Sequence, residues 1–183
     1  MNTEQLQAIW VIPPTPLDGT IHLAEYDAEW PRLFAREAVR IRGALGEQAL
    51  QIEHVGSTSV PGLAAKPRID ILLIVPDSAE EACYVPALTA AGYTLCIREP
   101  TWYEHRMFKG PDTDVNLHTF SPNCPESTRM LRFRDWLRSH PDDRELYEQT
   151  KRELASKTWQ YTQNYADAKT QVVEDILKRA QSD

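Results

Sequence analysis

Residues 54–75 read His54-Val55-Gly56-Ser57-Thr58-Ser59-Val60-Pro61-Gly62-Leu63-Ala64-Ala65-Lys66-Pro67-Arg68-Ile69-Asp70-Ile71-Leu72-Leu73-Ile74-Val75. A loop of small and hydroxyl-bearing residues runs directly into an apolar strand that carries one aspartate. Such a loop presents backbone N–H groups and hydroxyls to anionic oxygens, and a carboxylate at the mouth of a strand suits a hard metal ion. A carboxylate inside an otherwise apolar strand is costly to bury unless it is paired or binds something. Gly56, Ser57 and Thr58 are therefore candidate phosphate contacts, Lys66 a candidate counter-charge, and Asp70 a candidate metal ligand.

The strands on either side of this loop set the fold class. Residues 49–55 and 69–75 read as strands, the second apolar almost throughout, as expected in the middle of a sheet. Upstream, Asp27 and Pro31 mark a helix start, and Trp30, Phe34, Ala38, Ile41 and Leu45 recur at helical spacing. Residues 80–91 read as a helix closed by Gly92, and residues 93–97 as a third strand. Residues 104–109 and 114–120 read as a hairpin around Gly110-Pro111-Asp112-Thr113. From about residue 126 helical periodicity takes over, broken at Pro141, with Tyr165, Ala168, Val172 and Ile176 striping a last helix. The fold class is α+β: a mixed sheet flanked by helices, followed by a helical C-terminal portion. Ile21 and Leu23 suggest a short strand. Residues 1–20, with Pro13, Pro14, Pro16 and Asp18-Gly19, read as an N-terminal extension, and residues 21–183 as a single domain.

Bulk properties narrow the ligand. A chain of 183 residues with net charge −7 disfavours general nucleic-acid or membrane-surface binding, since both call for a basic face. No apolar run reaches the about 20 residues that cross a bilayer. Cys83, Cys96 and Cys124 show no paired spacing and read as ordinary thiols in a reducing, cytoplasmic setting. A small ligand and a monomer are expected.

Alternation along the strands groups further side chains. Asp70 shares its strand face with Leu72 and Ile74, Asp114 shares one with Asn116 and His118, and Glu104 lines up with Arg106 and Phe108. If these strands are neighbours, Asp70, Glu104, Arg106, Asn116 and His118 converge beside the loop, giving carboxylates for a metal and a cation for phosphate.

The run from His54 to Ile71 resembles the signature loop of the GrpB-like proteins, a family of the polymerase-beta-like nucleotidyltransferase superfamily that is also found fused to dephospho-CoA kinase. Residues 26–31, Asn116-Leu117-His118, and Phe133-Arg134-Asp135-Trp136-Leu137-Arg138 with Tyr147 and Lys151 resemble further segments of that family, so that the likeness spans roughly residues 21–180. The resemblance implies a nucleotidyltransferase-type fold binding a nucleotide or other small phosphorylated ligand with Mg2+. On it, Gly56 and Ser57 form the phosphate loop, Asp70 is the first metal aspartate, and Arg134 and Lys151 join the phosphate contacts. The position two residues after Asp70, where active members carry a second carboxylate, holds Leu72. Glu104 or Asp114 would then have to replace it, with Asn116 or His118 in place of a third. His118 is open to three roles: orienting an acceptor, acting as a base, or ligating metal. The implied activity is metal-dependent nucleotidyl transfer to a small acceptor, with Asp70 and His118 as the catalytic pair. The alternatives are a non-catalytic nucleotide-binding module or another metal-dependent reaction on the same fold.

Overall fold

The computed structural model describes residues 9–14 and 16–182. Helix α1 (Glu29–Leu45) leads through a 3-10 turn to strand β1 (Gln51–Val55), the Ser57–Ser59 turn, and strand β2 (Ile69–Ile74). Helix α2 (Val85–Ala90), β3 (Thr94–Glu99), β4 (His105–Lys109) and β5 (Val115–Phe120) follow, and then α3 (Pro125–Ser139), α4 (Pro141–Ala155), α5 (Thr162–Ala168) and α6 (Thr170–Ser182). Together they form one five-stranded mixed sheet with helices against it and a helical C-terminal part, as the patterning predicts.

The sheet order is β1-β2-β5-β4-β3. Only the β2–β5 pair is parallel, and it sits at the centre with Asp70 opposite Asn116 and Leu72 opposite His118. Period-two alternation divides the strands into two faces. Ile69, Ile71, Leu73, Val115, Leu117 and Phe108 pack with Trp30, Ile41 and Leu45 of α1 and Leu88 of α2 in the main core. On the opposite face Val55, Leu72, Ile74 and Phe120 pack under Met130 and Leu131 of α3. Asp70, Asn116 and His118 share this second face, in the stretch α3 does not cover. A third apolar cluster, with Leu63, Leu137, Tyr147 and Ile176, ties the signature loop to α3, α4 and α6.

Three local expectations shift. The helix expected over 80–91 is a 3-10 turn (Glu81–Cys83) followed by α2, because Pro86 lacks an N–H and is accommodated only in the first turn of a new helix. The last expected helix is two, α5 and α6, separated at Lys169. Residues 21–23 form no strand. Instead Ala24 bridges Ala65, exchanging hydrogen bonds of 2.8 and 2.9 Å that fasten the signature loop. The described part of the N-terminal segment lies along the protein: Trp10 bridges Ile97 at the β3 edge, and Gly19 bridges Trp159. Residues 1–8 and Thr15 of the expected extension lie outside the described residues. No helix among the described residues is long and apolar enough to cross a membrane.

Candidate functional site

A cavity of about 260 Å³ opens where the uncovered part of the sheet meets the signature loop and α5. Ser57, Lys66, Arg68, Asp70, Asn116 and His118 form its floor and loop side, and Lys151, Tyr165 and Lys169 its helical side. Gly56 sets the geometry where the loop leaves β1. Its φ of +68° is a left-handed conformation, and a Cβ there would stand 2.5 Å from Asp70 Oδ2, so only glycine lets the loop pass the aspartate.

The aspartate is tightly held. Asn116 Nδ2 donates to Asp70 Oδ1 at 2.9 Å, and His118 Nε2 stands 3.8 Å from the same oxygen. Burial opposes ionisation of Asp70, but His118 in its protonated form, the Asn116 amide and the Arg68 charge outweigh it, and its pKa then lies below the ordinary carboxylate value. Lys109 Nζ donates to Asn116 Oδ1 at 2.7 Å. The amide is thus fixed from both ends, its nitrogen turned to Asp70.

Three lysines, Lys66, Lys151 and Lys169, face the cavity, with the Asp70, Asp114 and Glu148 charges near but not paired with them. Lys66 Nζ lies 5.3 Å from the centre of the Tyr165 ring and Lys169 Nζ 4.5 Å from it. No carboxylate pairs with either lysine among the described residues. Burial, with the charges of Arg68 and Lys169, brings Lys66 down to about 7. Lys151 is also brought to about 7, by burial and by Lys169. Its ammonium donates to the Ala64 carbonyl and sits 4.9 Å from the Tyr147 ring, so it clamps the loop as well as lining the cavity. Tyr165 is fully buried, and its hydroxyl has no hydrogen-bond partner among the described residues.

Several expected site residues are placed otherwise. The β4–β5 register sets Met107, not Arg106, opposite His118, which turns Arg106 to the other face of the sheet. There Arg106 pairs with Glu81 at 2.5 Å and Glu104 at 3.0 Å, which removes both Arg106 and Glu104 from the cavity. Arg134 is bound to Glu53 at 2.8 Å, to Asp135 at 2.7 Å and to the His54 carbonyl at 3.0 Å, an anchor of α3 on β1 outside the cavity wall. Thr58 lines the cavity, but its hydroxyl proton goes to the Arg68 carbonyl at 2.9 Å, and its oxygen accepts from His54 Nε2 at 3.0 Å. Its side chain shapes the loop and has no proton left for a phosphate. Asp114 is committed to Arg68, whose Nε lies 2.9 Å from both of its carboxylate oxygens.

These placements do not fit the magnesium site implied by the resemblance. Among the described residues no three His, Cys, Asp or Glu side chains are grouped to hold a metal. Asn116 turns its nitrogen toward Asp70, Leu72 is fully buried in the second-face cluster, and Glu104 and Asp114 are held by arginines. One carboxylate among several cations is a poor donor set for an oxygen-seeking dication.

Lys169, Tyr165 and Lys109 are contributors that the motif reading missed. Tyr165 carries an ordinary core-helix signal in the sequence, and nothing marks Lys169 and Lys109 beyond their charge.

The family model described as GrpB protein matches residues 20–179. A UPF0157 protein of Halalkalibacterium halodurans is 60% identical over 177 residues, covering 97% of this chain and 91% of that protein. The crystal structure of conserved protein GrpB from Enterococcus faecalis superposes with a TM-score of 0.73 at 30% identity, over 87% of this chain and 96% of that one. A dephospho-CoA kinase of Mycolicibacterium paratuberculosis is 30% identical over an alignment that covers 87% of this chain and 46% of that protein.

Proposed function

This chain belongs to the GrpB family, and we propose that its cavity binds a small phosphorylated molecule, a nucleotide or another phosphate ester, through lysines rather than through a metal ion. The observation that carries this reading is the Lys66–Tyr165–Lys169 arrangement: two ammonium groups over one buried ring, without carboxylate partners among the described residues, at the wall of a cavity. Unneutralised, partly desolvated cations attract an anion strongly, because both charge and hydrogen bonds act in a low dielectric. Ser57 offers a hydroxyl on the loop side, and Tyr165 a buried hydroxyl that lacks a partner. The volume of about 260 Å³ lies just below the usual span of ligand cavities, roughly 300–1,000 Å³, and favours a compact phosphate ester over a large cofactor. The nucleotidyltransferase-type transfer implied by the resemblance would require a donor set that Asp70 alone does not supply, so binding is the function the geometry supports best. Calorimetric titration of inorganic phosphate into the protein, with chelator present, tests it. Saturable one-to-one binding supports the reading, and no heat of binding at millimolar phosphate ends it.

A further inference from the structure

A line of hydrogen-bonding groups crosses the sheet from its far edge to the cavity. Glu99 closes β3, His105 opens β4 directly opposite it, and His118 lies on β5, the next strand. Glu99 Oε2 is 2.7 Å from His105 Nδ1, His105 Nε2 is 3.1 Å from His118 Nδ1, and His118 Nε2 faces Asp70 Oδ1 at 3.8 Å. The two imidazole planes differ by 17°, which lets the nitrogen-to-nitrogen bond lie near both ring planes. His105 is further held by stacking on Phe120, with centroids 4.7 Å apart.

The chemistry of each group fixes where the protons sit. An ionised carboxylate only accepts, so His105 Nδ1 carries the proton it gives to Glu99. A neutral ring then has a bare Nε2, and the only hydrogen bond it can make to His118 is as acceptor. His118 must therefore hold its proton on Nδ1. Burial keeps His105 neutral, with its pKa brought down to about 4.

We infer that Glu99 and His105 are positioning residues that lock the neutral His118 ring with its proton on Nδ1, so that Nε2 and Asp70 form a pair of acceptors for two neighbouring hydroxyls of the ligand. Two acceptors 3.8 Å apart do not bond each other, and because one hydroxyl carries a single proton, two neighbouring hydroxyls, one donating to each, satisfy both. The cavity is thereby two-ended: lysines for a phosphate, and the Asp70–His118 pair for two neighbouring hydroxyls. The ligand class, resting on the phosphate reading above, is a hydroxyl-bearing phosphate ester of sugar-phosphate type.

Nitrogen-15 NMR of the histidine rings reads the tautomer directly. At about pH 8.5, on the alkaline side, the His118 ring is expected to be protonated on Nδ1 and bare on Nε2. In His105→Phe the partner of Nδ1 is gone, and the proton is expected to redistribute toward Nε2. Glu99→Gln, which preserves shape and frees His105 from its fixed tautomer, is expected to shift the same signals to a lesser degree. A wild-type His118 protonated on Nε2 overturns the inference, as does an unchanged pattern in both variants. Ribose 5-phosphate is expected to bind at least about tenfold tighter than inorganic phosphate, the order of one hydrogen bond to a charged group. Equal affinities overturn the hydroxyl role. If neither probe binds, the phosphate reading fails while the ring signals still decide the tautomer.

Discussion

Gly56 and Asp70 are in such close approach that a methyl group on the glycine would stand 2.5 Å from Oδ2 of the aspartate and 3.0 Å from its Cβ. Loop and strand are therefore fitted to each other at the cavity floor. Gly56→Ala meets two penalties at once, a left-handed backbone of φ +68° and a steric overlap with a side chain anchored by Asn116. The backbone, at φ +68° and ψ −174° in a region open essentially to glycine alone, costs about 1–3 kcal/mol, and the overlap adds to it. Urea unfolding is expected to show a loss of about 2 kcal/mol or more. A loss below about 0.5 kcal/mol, the range of neutral surface substitutions, would show that the loop is not constrained by Asp70.

The unpaired lysines set affinity against stability. Lys66→Met removes a cation that burial and its positive neighbours disfavour, so the variant is expected to melt at the wild-type temperature or above. Its affinity for inorganic phosphate is expected to fall about tenfold or more, the scale of one charge-assisted hydrogen bond. Lys169→Gln is expected to weaken binding in the same direction. Thermal melting together with calorimetry separates the two effects, and a Lys66→Met protein that is less stable with unaltered phosphate affinity would make Lys66 a structural residue.

The same lysines give the protein a pH signature. Lys66 and Lys151 sit near 7 in the folded chain, against 10.5 as their ordinary value. Between those values the unfolded chain binds more protons than the folded one, so stability rises with pH from about 7 toward about 10.5. Phosphate binding runs the other way: an anion favours the protonated lysines, so affinity falls as pH rises above 7, and binding takes up protons. Calorimetry in buffers of different ionisation enthalpy measures that uptake. Proton release on binding at pH 8 would contradict the assignment.

Arg134 offers a contrast, being a positive side chain assigned to structure. It joins Glu53 and the His54 carbonyl across 80 or more residues of chain, and only 11% of its side chain is exposed. Arg134→Ala leaves Glu53 without its partner and is expected to cost about 2–3 kcal/mol in denaturant unfolding. Phosphate affinity should stay within about twofold, since Arg134 lies outside the cavity wall.

The apolar β2 run, the strand alternation and the proline breaks are local signals, and they make the mixed sheet and its C-terminal helices legible in the amino-acid sequence. Asp70, Asn116 and His118 follow from the same alternation once β2 and β5 are neighbours. Arg106 and Glu104 do not, because a hairpin's register decides which set of alternating side chains faces the partner strand, and the sequence around Gly110 leaves that choice open. Arg134 and Thr58 have the composition of ligand contacts but satisfy their hydrogen bonds within the protein. Lys169 and Tyr165 come to the cavity from more than 90 residues beyond the signature loop. Their role arises in tertiary packing, where no motif records it.

The most direct test titrates inorganic phosphate into the wild-type protein and into Lys66→Met at pH 6.5, each with excess magnesium and each with chelator. The account predicts one saturable site in the wild type, the same affinity under both metal conditions, and a loss of about tenfold or more in the variant. Binding that appears only with magnesium and is indifferent to Lys66 would contradict it.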